Sequence, residues 1–229
     1  GEPMDENRYV VSSNDMDLYY TNLGNVVNGC PASLVFNMDE AGQDEFIDTH
    51  SMMVIVPISC TDKVTKIPVR RQSKRATLVN CICVDGTMTK PLLILPRKTL
   101  DSVLLKRITC NNVMLKYQEK GYANTNIIIK WLEEIFLPTV EYKWKEENKR
   151  SGYNGNDVLI LDGFSSHAKA LSHFQLNNYH LTLVYLVPHS SHLSQPLDLV
   201  IFCLQKLFTI RRRISNPLST QADKIRSIL

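Results

Sequence analysis

The run Asp157-Val158-Leu159-Ile160-Leu161-Asp162-Gly163 limits what this chain can fold into more than any other stretch. Four consecutive aliphatic residues between two acids read as a strand buried on both faces, the kind found in the middle of an α/β sheet. Asp162 then stands where a central strand ends, and open α/β sheets place their ligands there. A carboxylate in that position is costly to bury unless something compensates it, and a cation is the usual answer. Other acids matter according to whether they finish at the same place.

Residues 14–28 carry Met16, Leu18, Tyr19, Leu23 and Val26 at helical spacing behind the capping segment Ser13-Asn14-Asp15, and Gly29 and Pro31 end that helix. Ser33 to Asn37 is a short strand running into Met38-Asp39-Glu40-Ala41-Gly42, so Asp39 is also expected at a strand end. Met52 to Ile58 is apolar and strand-like, whereas Lys63 to Arg75 is basic and reads as a hairpin or flexible loop. Ala76 to Val84 and Lys90 to Leu95 form an antiparallel pair about the Asp85-Gly86 turn. Residues 98–122 give no regular pattern. Asn124-Thr125-Asn126 caps a helix from Ile127 to about Phe136, with Trp131 and Ile135 on its apolar face and Pro138 beyond it. Tyr142 to Gly155 reads as a charged surface linker that holds Trp144.

After the central strand come a helix from about Ser166 to Asn177, a strand from Leu181 to Val187, and the loop Pro188-His189-Ser190-Ser191-His192. A last helix spans about Pro196 to Arg213, with Ile201, Leu204, Leu207, Phe208 and Ile210 as the expected core face. The order β, β-hairpin, α, β, α, β, α gives an α/β fold: a mixed sheet that starts with three antiparallel strands, continues through parallel crossovers and carries helices on both faces.

The 229 residues suffice for one well-buried domain, and no apolar run approaches the ~18 residues of a membrane helix. Six scattered cysteines without a CxxC pair read as reduced, structural thiols of an intracellular protein. The net charge of +3 conceals an asymmetry: residues 1–50 hold ten acids against Arg8 alone, so the rest of the chain carries +12. Such a distribution suits a polyanionic partner for the basic part.

Asp39, Asp162 and Asp198 then form the candidate site. Asp198 opens the last helix in Ser194-Gln195-Pro196-Leu197-Asp198, and the strands leading to Asp39 and Asp162 are expected to be sheet neighbours. Three carboxylates converging on one sheet end make an all-oxygen site suited to Mg²⁺ or Mn²⁺, not to zinc. Glu40 reads as an acid behind the site or on the surface. His189 and His192 lack further zinc ligands, so structural roles or phosphate contacts fit them better. Gly163-Phe164-Ser165 starts like a nucleophile elbow, but His167 stands where the closing glycine belongs.

Three segments, Phe36 to Gly42, Leu161 to His167 and Pro188 to Asp198, resemble in order the catalytic domain of the pogo-type DDE transposases, a mariner-superfamily branch that includes the Tigger and Jerky proteins. The resemblance covers roughly residues 33–208. Ala41 stands where that family often has Thr, and Phe164 where it often has His. The resemblance implies a ribonuclease-H-like fold, with 1–32 as a lead-in and helix, 33–213 as the catalytic domain and 214–229 as a truncated tail. It implies two Mg²⁺ or Mn²⁺ ions, Asp39 bridging both and Asp162 and Asp198 each holding mainly one. It also implies cleavage and joining of DNA strands, transposon ends and target DNA as partners, a possible homodimer and a nuclear location. Arg70, Arg71, Lys74, Arg75, Lys206, Arg211, Arg212 and Arg213, with His189 and His192, are the candidate DNA contacts. The family's helix-turn-helix region is not readable here, so the chain reads as a fragment. A domesticated, catalytically silent DNA-binding scaffold and a nuclease acting on RNA or hybrids are the alternatives.

Overall fold

In the computed structural model, residues 11–43, 75–99, 102 and 112–215 are described, the side chains of 213–215 excepted. Helix α1 (Ser13–Val27) begins at Ser12, whose side chain accepts from the Asp15 N–H. Strand β1 (Val35–Gln43) follows, then β2 (Ala76–Cys83), β3 (Leu92–Pro96) and β4 (Met114–Gln118). Helix α2 (Thr125–Trp131) runs through a π-turn (Leu132–Phe136) into α3 (Leu137–Ser151). Strand β5 (Asp157–Leu161), α4 (Ser165–Leu171), β6 (Leu181–Tyr185), the short α5 (Ser191–Ser194), a second π-turn (Leu197–Ile201) and α6 (Phe202–Ser215) complete the order.

The six strands form one sheet in the order β4-β3-β2-β1-β5-β6. β1, β2 and β3 are antiparallel neighbours, while β1–β5, β5–β6 and β3–β4 are parallel. The mixed topology and the β1–β5 adjacency are therefore as the sequence predicts. β4 is an additional edge strand within the stretch that showed no pattern. The expected strand from Met52 to Ile58 and the basic loop from Lys63 to Lys74 lie outside the described residues.

Both faces of the sheet are covered. Phe36, Met38, Val79, Cys81, Leu159 and Leu161 pack on one face against Ile128, Trp131, Phe136 and Val140 of the α2–α3 helix and Ala170 of α4. On the other face Val35, Val158 and Ile160 meet Tyr19, Met16 and Leu23 of α1. Ala41 meets Leu197 and Phe202 on that face as well. Odd-numbered β1 residues therefore look toward the last helix and even-numbered ones toward α2–α4. Asp39 and Glu40, though adjacent, serve opposite faces.

Four expectations need correction. Tyr142 to Gly155 is not a linker: the helix continues to Ser151 and ends at Gly152, which takes the left-handed conformation at φ 73°. Pro138 does not stop this helix because the wider π-turn ends just before it, where an ordinary turn would bring the ring against a preceding carbonyl. Trp144, on that helix, donates to the Gly155 carbonyl at 2.8 Å and stacks on His180. β1 runs on to Gln43, so Asp39 sits inside a strand, laddered to Asn80 of β2. α4 ends at Leu171, and a separate 3₁₀ turn covers Leu176–Tyr179.

Of the face expected for the last helix, Ile201 packs against Ala41, Leu197 and Phe202 and Ile210 is half-buried, but the rest faces outward. Phe202 and Thr209 are buried, and Gln205 accepts from Asn80, whereas Leu204, Leu207 and Phe208 are exposed. The helix carries two helically spaced sets, and periodicity alone favoured the more apolar one. The described cysteines Cys30, Cys81, Cys83 and Cys203 are free thiols.

Candidate metal centre

Register brings the first two acids together. The parallel β1–β5 ladder ends at Met38↔Leu161, so Asp39 and Asp162 are the next residues along two adjacent strands, whose spacing is about 4.8 Å. Asp39 is 7% exposed. Burial first, and then the neighbouring charges of Asp198 and Asp162, push its carboxyl up to about 7, against the pull of the Glu40 N–H and His167. A buried acid with two further carboxylates close enough to raise its pKa marks a place suited to a cation. Among the described residues, no three His, Cys, Asp or Glu side chains stand in a metal-coordinating arrangement. The acids are thus coupled through charge without closing into a ligand shell.

Asp198 reaches the site through a buried amide pair. The Asn37 amide donates to the Ile160 carbonyl at 3.1 Å and to Gln195 Oε1 at 2.6 Å. Its own oxygen accepts from the Leu197 N–H at 3.2 Å, and Gln195 Nε2 donates to the Met38 carbonyl at 3.5 Å. Asn37 and Gln195 therefore pin the start of the second π-turn to β1, one residue before Asp198. Asn37→Ala strands a buried carbonyl oxygen of Gln195 and the Leu197 N–H, at an expected cost of about 2 kcal/mol. Chemical denaturation should show a lower midpoint with an unchanged slope.

A second set of contacts holds Asp162. His167 is buried on α4, with Nδ1 2.9 Å from Asp162 Oδ1 and Nε2 2.6 Å from Glu40 Oε1. Burial opposes a charge on the ring, yet the hydrogen bonds to Asp162 and Glu40 and the charges of both acids carry its pKa up to about 9. A ring charged in this way donates from both nitrogens, to Asp162 and to Glu40. The imidazolium bridges the acid on β1 that faces α4 and the acid that follows β5.

The remaining predicted residues are dispersed. Arg75 is exposed and precedes β2 at the end of the sheet where β1 finishes. Lys206, Arg211 and Arg212 are exposed on α6. Arg70, Arg71, Lys74 and the side chain of Arg213 lie outside the described residues. His189 is exposed, takes φ 62° and lines a depression between α1 and the end of β6. His192 is half-buried on α5, with no partner for Nδ1 among the described residues. Asn37, Gln195 and His167 stand inside the three sequence motifs, where nothing local gives them a role. Their partners lie 158 residues away for Asn37–Gln195 and 127 for His167–Glu40, so no local pattern signals them.

The profile of the family described as DDE superfamily endonuclease matches residues 72–227. The chain belongs to this family. The matched range takes in Asp162, His167 and Asp198, while Asp39 precedes it. Its fold is similar to that of a pre-cleavage Mos1 transpososome, with a TM-score of 0.57 at 11% identity over 100% of this chain and 62% of that one. A Mos1 mariner paired-end complex with Mn gives a TM-score of 0.54 at 11% identity over the same shares. The sheet order and this likeness make the fold ribonuclease-H-like. In sequence, the chain is 26% identical over 126 residues to the MFS-type transporter clz9 of Cochliobolus lunatus, covering 55% of this chain and 13% of that protein. Among the described residues, no helix is long and apolar enough to cross a membrane.

Proposed function

We propose that this chain is the catalytic core of a pogo-type DNA transposase. It would cleave and join DNA phosphodiesters with two divalent ions, Mg²⁺ or Mn²⁺, held by Asp39, Asp162 and Asp198. The observation carrying this reading is the gathering of three acids at one sheet end, where burial first, and then the charges of Asp198 and Asp162, raise the Asp39 carboxyl to about 7. An all-oxygen donor set with excess negative charge fits hard divalent cations. Membership of the DDE superfamily endonucleases and the fold shared with Mos1 complexes support the same direction.

When bound, paired ions at such a site activate water or a 3′-hydroxyl and stabilise the leaving oxygen of an in-line displacement. The protein's part is to supply the carboxylates from rigid elements: Asp39 from inside a strand, Asp162 one step past its neighbour, and Asp198 from a π-turn tethered by Asn37 and Gln195. Arg75, Lys206, Arg211 and Arg212, with Arg70, Arg71, Lys74 and Arg213, would neutralise backbone phosphates without reading sequence. DNA ends, target DNA and a second copy of the chain are the partners this reading entails.

The test is Mn²⁺ calorimetry on the parent chain and on Asp162→Ala, with supercoiled DNA nicking measured in parallel. Binding and nicking in the parent, both lost in the variant, support the catalytic reading. No uptake by the parent, even with DNA present, leaves a DNA-binding scaffold without chemistry.

A further inference from the structure

The geometry points to His167 as the positioning residue for Asp162: its Nδ1–H fixes one carboxylate oxygen and leaves the other for a cation. This inference rests on the metal reading above and adds a part to it. The β1–β5 ladder stops at Leu161, so no strand pairing holds the backbone of Asp162, and the flexible Gly163 comes next. Among the described residues, two hydrogen bonds restrain the carboxylate, both on Oδ1: from the Phe164 N–H at 3.4 Å and from His167 Nδ1 at 2.9 Å. The first is at the limit of a hydrogen bond, which leaves the imidazole as the principal restraint.

The ring is itself well fixed. Its side chain is 2% exposed, Glu40 Oε1 holds the far nitrogen at 2.6 Å, and Phe164 packs edge-on with centroids 5.6 Å apart. Glu40 belongs to the same strand as Asp39 but to the opposite face. The contact thus ties the orientation of Asp162 to the strand that carries Asp39, through the sheet rather than across the cluster. With Oδ1 committed to N–H donors, Oδ2 remains for a cation, and Asp162 is set up as a one-oxygen ligand. Partners behind ligating side chains, arranged in this manner, typically change metal affinity 10- to 100-fold when removed.

Two amide substitutions separate positioning from packing. In His167→Asn the amide nitrogen can occupy the place of Nδ1, keeping the bond to Asp162 and losing Glu40. In His167→Gln the longer side chain reaches the place of Nε2, keeping Glu40 and losing Asp162. Both shrink a buried ring, so both should lower the melting temperature to a similar extent. Mn²⁺ affinity, read by calorimetry without any activity assay, should stay within about threefold of the parent in His167→Asn and fall about 10- to 100-fold in His167→Gln. Equal affinities in the two variants overturn the positioning role while leaving the metal site standing. No Mn²⁺ uptake by the parent overturns the metal reading, and the positioning role with it.

A measurement on the parent chain needs neither variant to fold. With ¹⁵N-labelled histidine, His167 should show a slowly exchanging proton on Nδ1, coupled to a ring signal that shifts when Mg²⁺ is added. Absence of that proton, or no shift at saturating Mg²⁺ that does bind, overturns the proposal.

Discussion

Asp39→Asn is expected to reduce DNA cleavage on the order of 10³-fold or more, the scale seen when a group aimed at transition-state charge is removed. Asp39 is the most buried of the three acids, and its carboxyl is raised to about 7. Below pH 7 the carboxyl keeps its proton, which a divalent ion must displace. Mn²⁺ affinity of the parent should therefore climb with pH, up to about tenfold per unit below 7, and flatten above it. Binding should release protons, seen as a dependence of the calorimetric heat on buffer ionisation enthalpy. In Asp39→Asn both the pH slope and the proton release should disappear, whatever affinity remains. A parent whose Mn²⁺ affinity is the same at pH 6 and pH 8 would show that Asp39 is not a ligand.

The parts legible in the sequence are those set by short-range periodicity. The unbroken aliphatic run at 158–161 could only be a central strand, and the acid after it could only fall at the sheet end. The Asp85-Gly86 turn fixed the hairpin, and the Thr87 N–H and hydroxyl close it on the Asp85 carboxylate. The failures have physical causes of a different range. Pro138 marks a helix end by every local rule, and a π-turn whose packing on the sheet buries Leu132 and Phe136 overrides it. The charged stretch 142–151 reads as a linker because Glu147 alone is buried within it. Glu147 is held there by Ser33, Arg150 and Ser151, polar contacts that no apolar pattern reveals.

The site divides in the same way. Asp39, Asp162 and Asp198 were legible as acids next to apolar runs. Their supports were not, because a hydrogen-bonded amide pair and a bridging histidine leave no periodic trace. Asn37 two residues before Asp39, and His167 five residues after Asp162, carried the needed chemistry in plain view. What turned them into supports was the parallel β1–β5 pairing, a contact 123 residues long at its Asn37–Ile160 bond. A buried strand acid says that compensation is needed, while only the fold says which residue supplies it.

Asp157, at the other end of β5, should make the protein lose stability as pH rises. It is fully buried, neither carboxyl oxygen has a hydrogen-bond partner among the described residues, and burial pushes its pKa up to about 8. Its ordinary value is about 3.9. Between these values the folded protein retains a proton that the unfolded chain gives up. Stability from this group is present below about pH 4 and falls by up to about 1.4 kcal/mol per unit until pH 8. Asp39, raised to about 7, and His167, raised to about 9, tilt the curve the same way, so the parent's slope alone does not isolate Asp157. The difference between Asp157→Asn and the parent does. It should be near zero at pH 4 and grow to on the order of 3–5 kcal/mol in favour of the variant at pH 8. Denaturant unfolding at pH 5, 6, 7 and 8 measures it, and a difference constant across that range would mean the carboxyl is ionised in the folded protein. Asp157 lies about 16 Å along the strand from Asp162, so Mn²⁺ affinity should not change. The variant would then gain stability at neutral pH while leaving the acids at the other end of the same strand untouched.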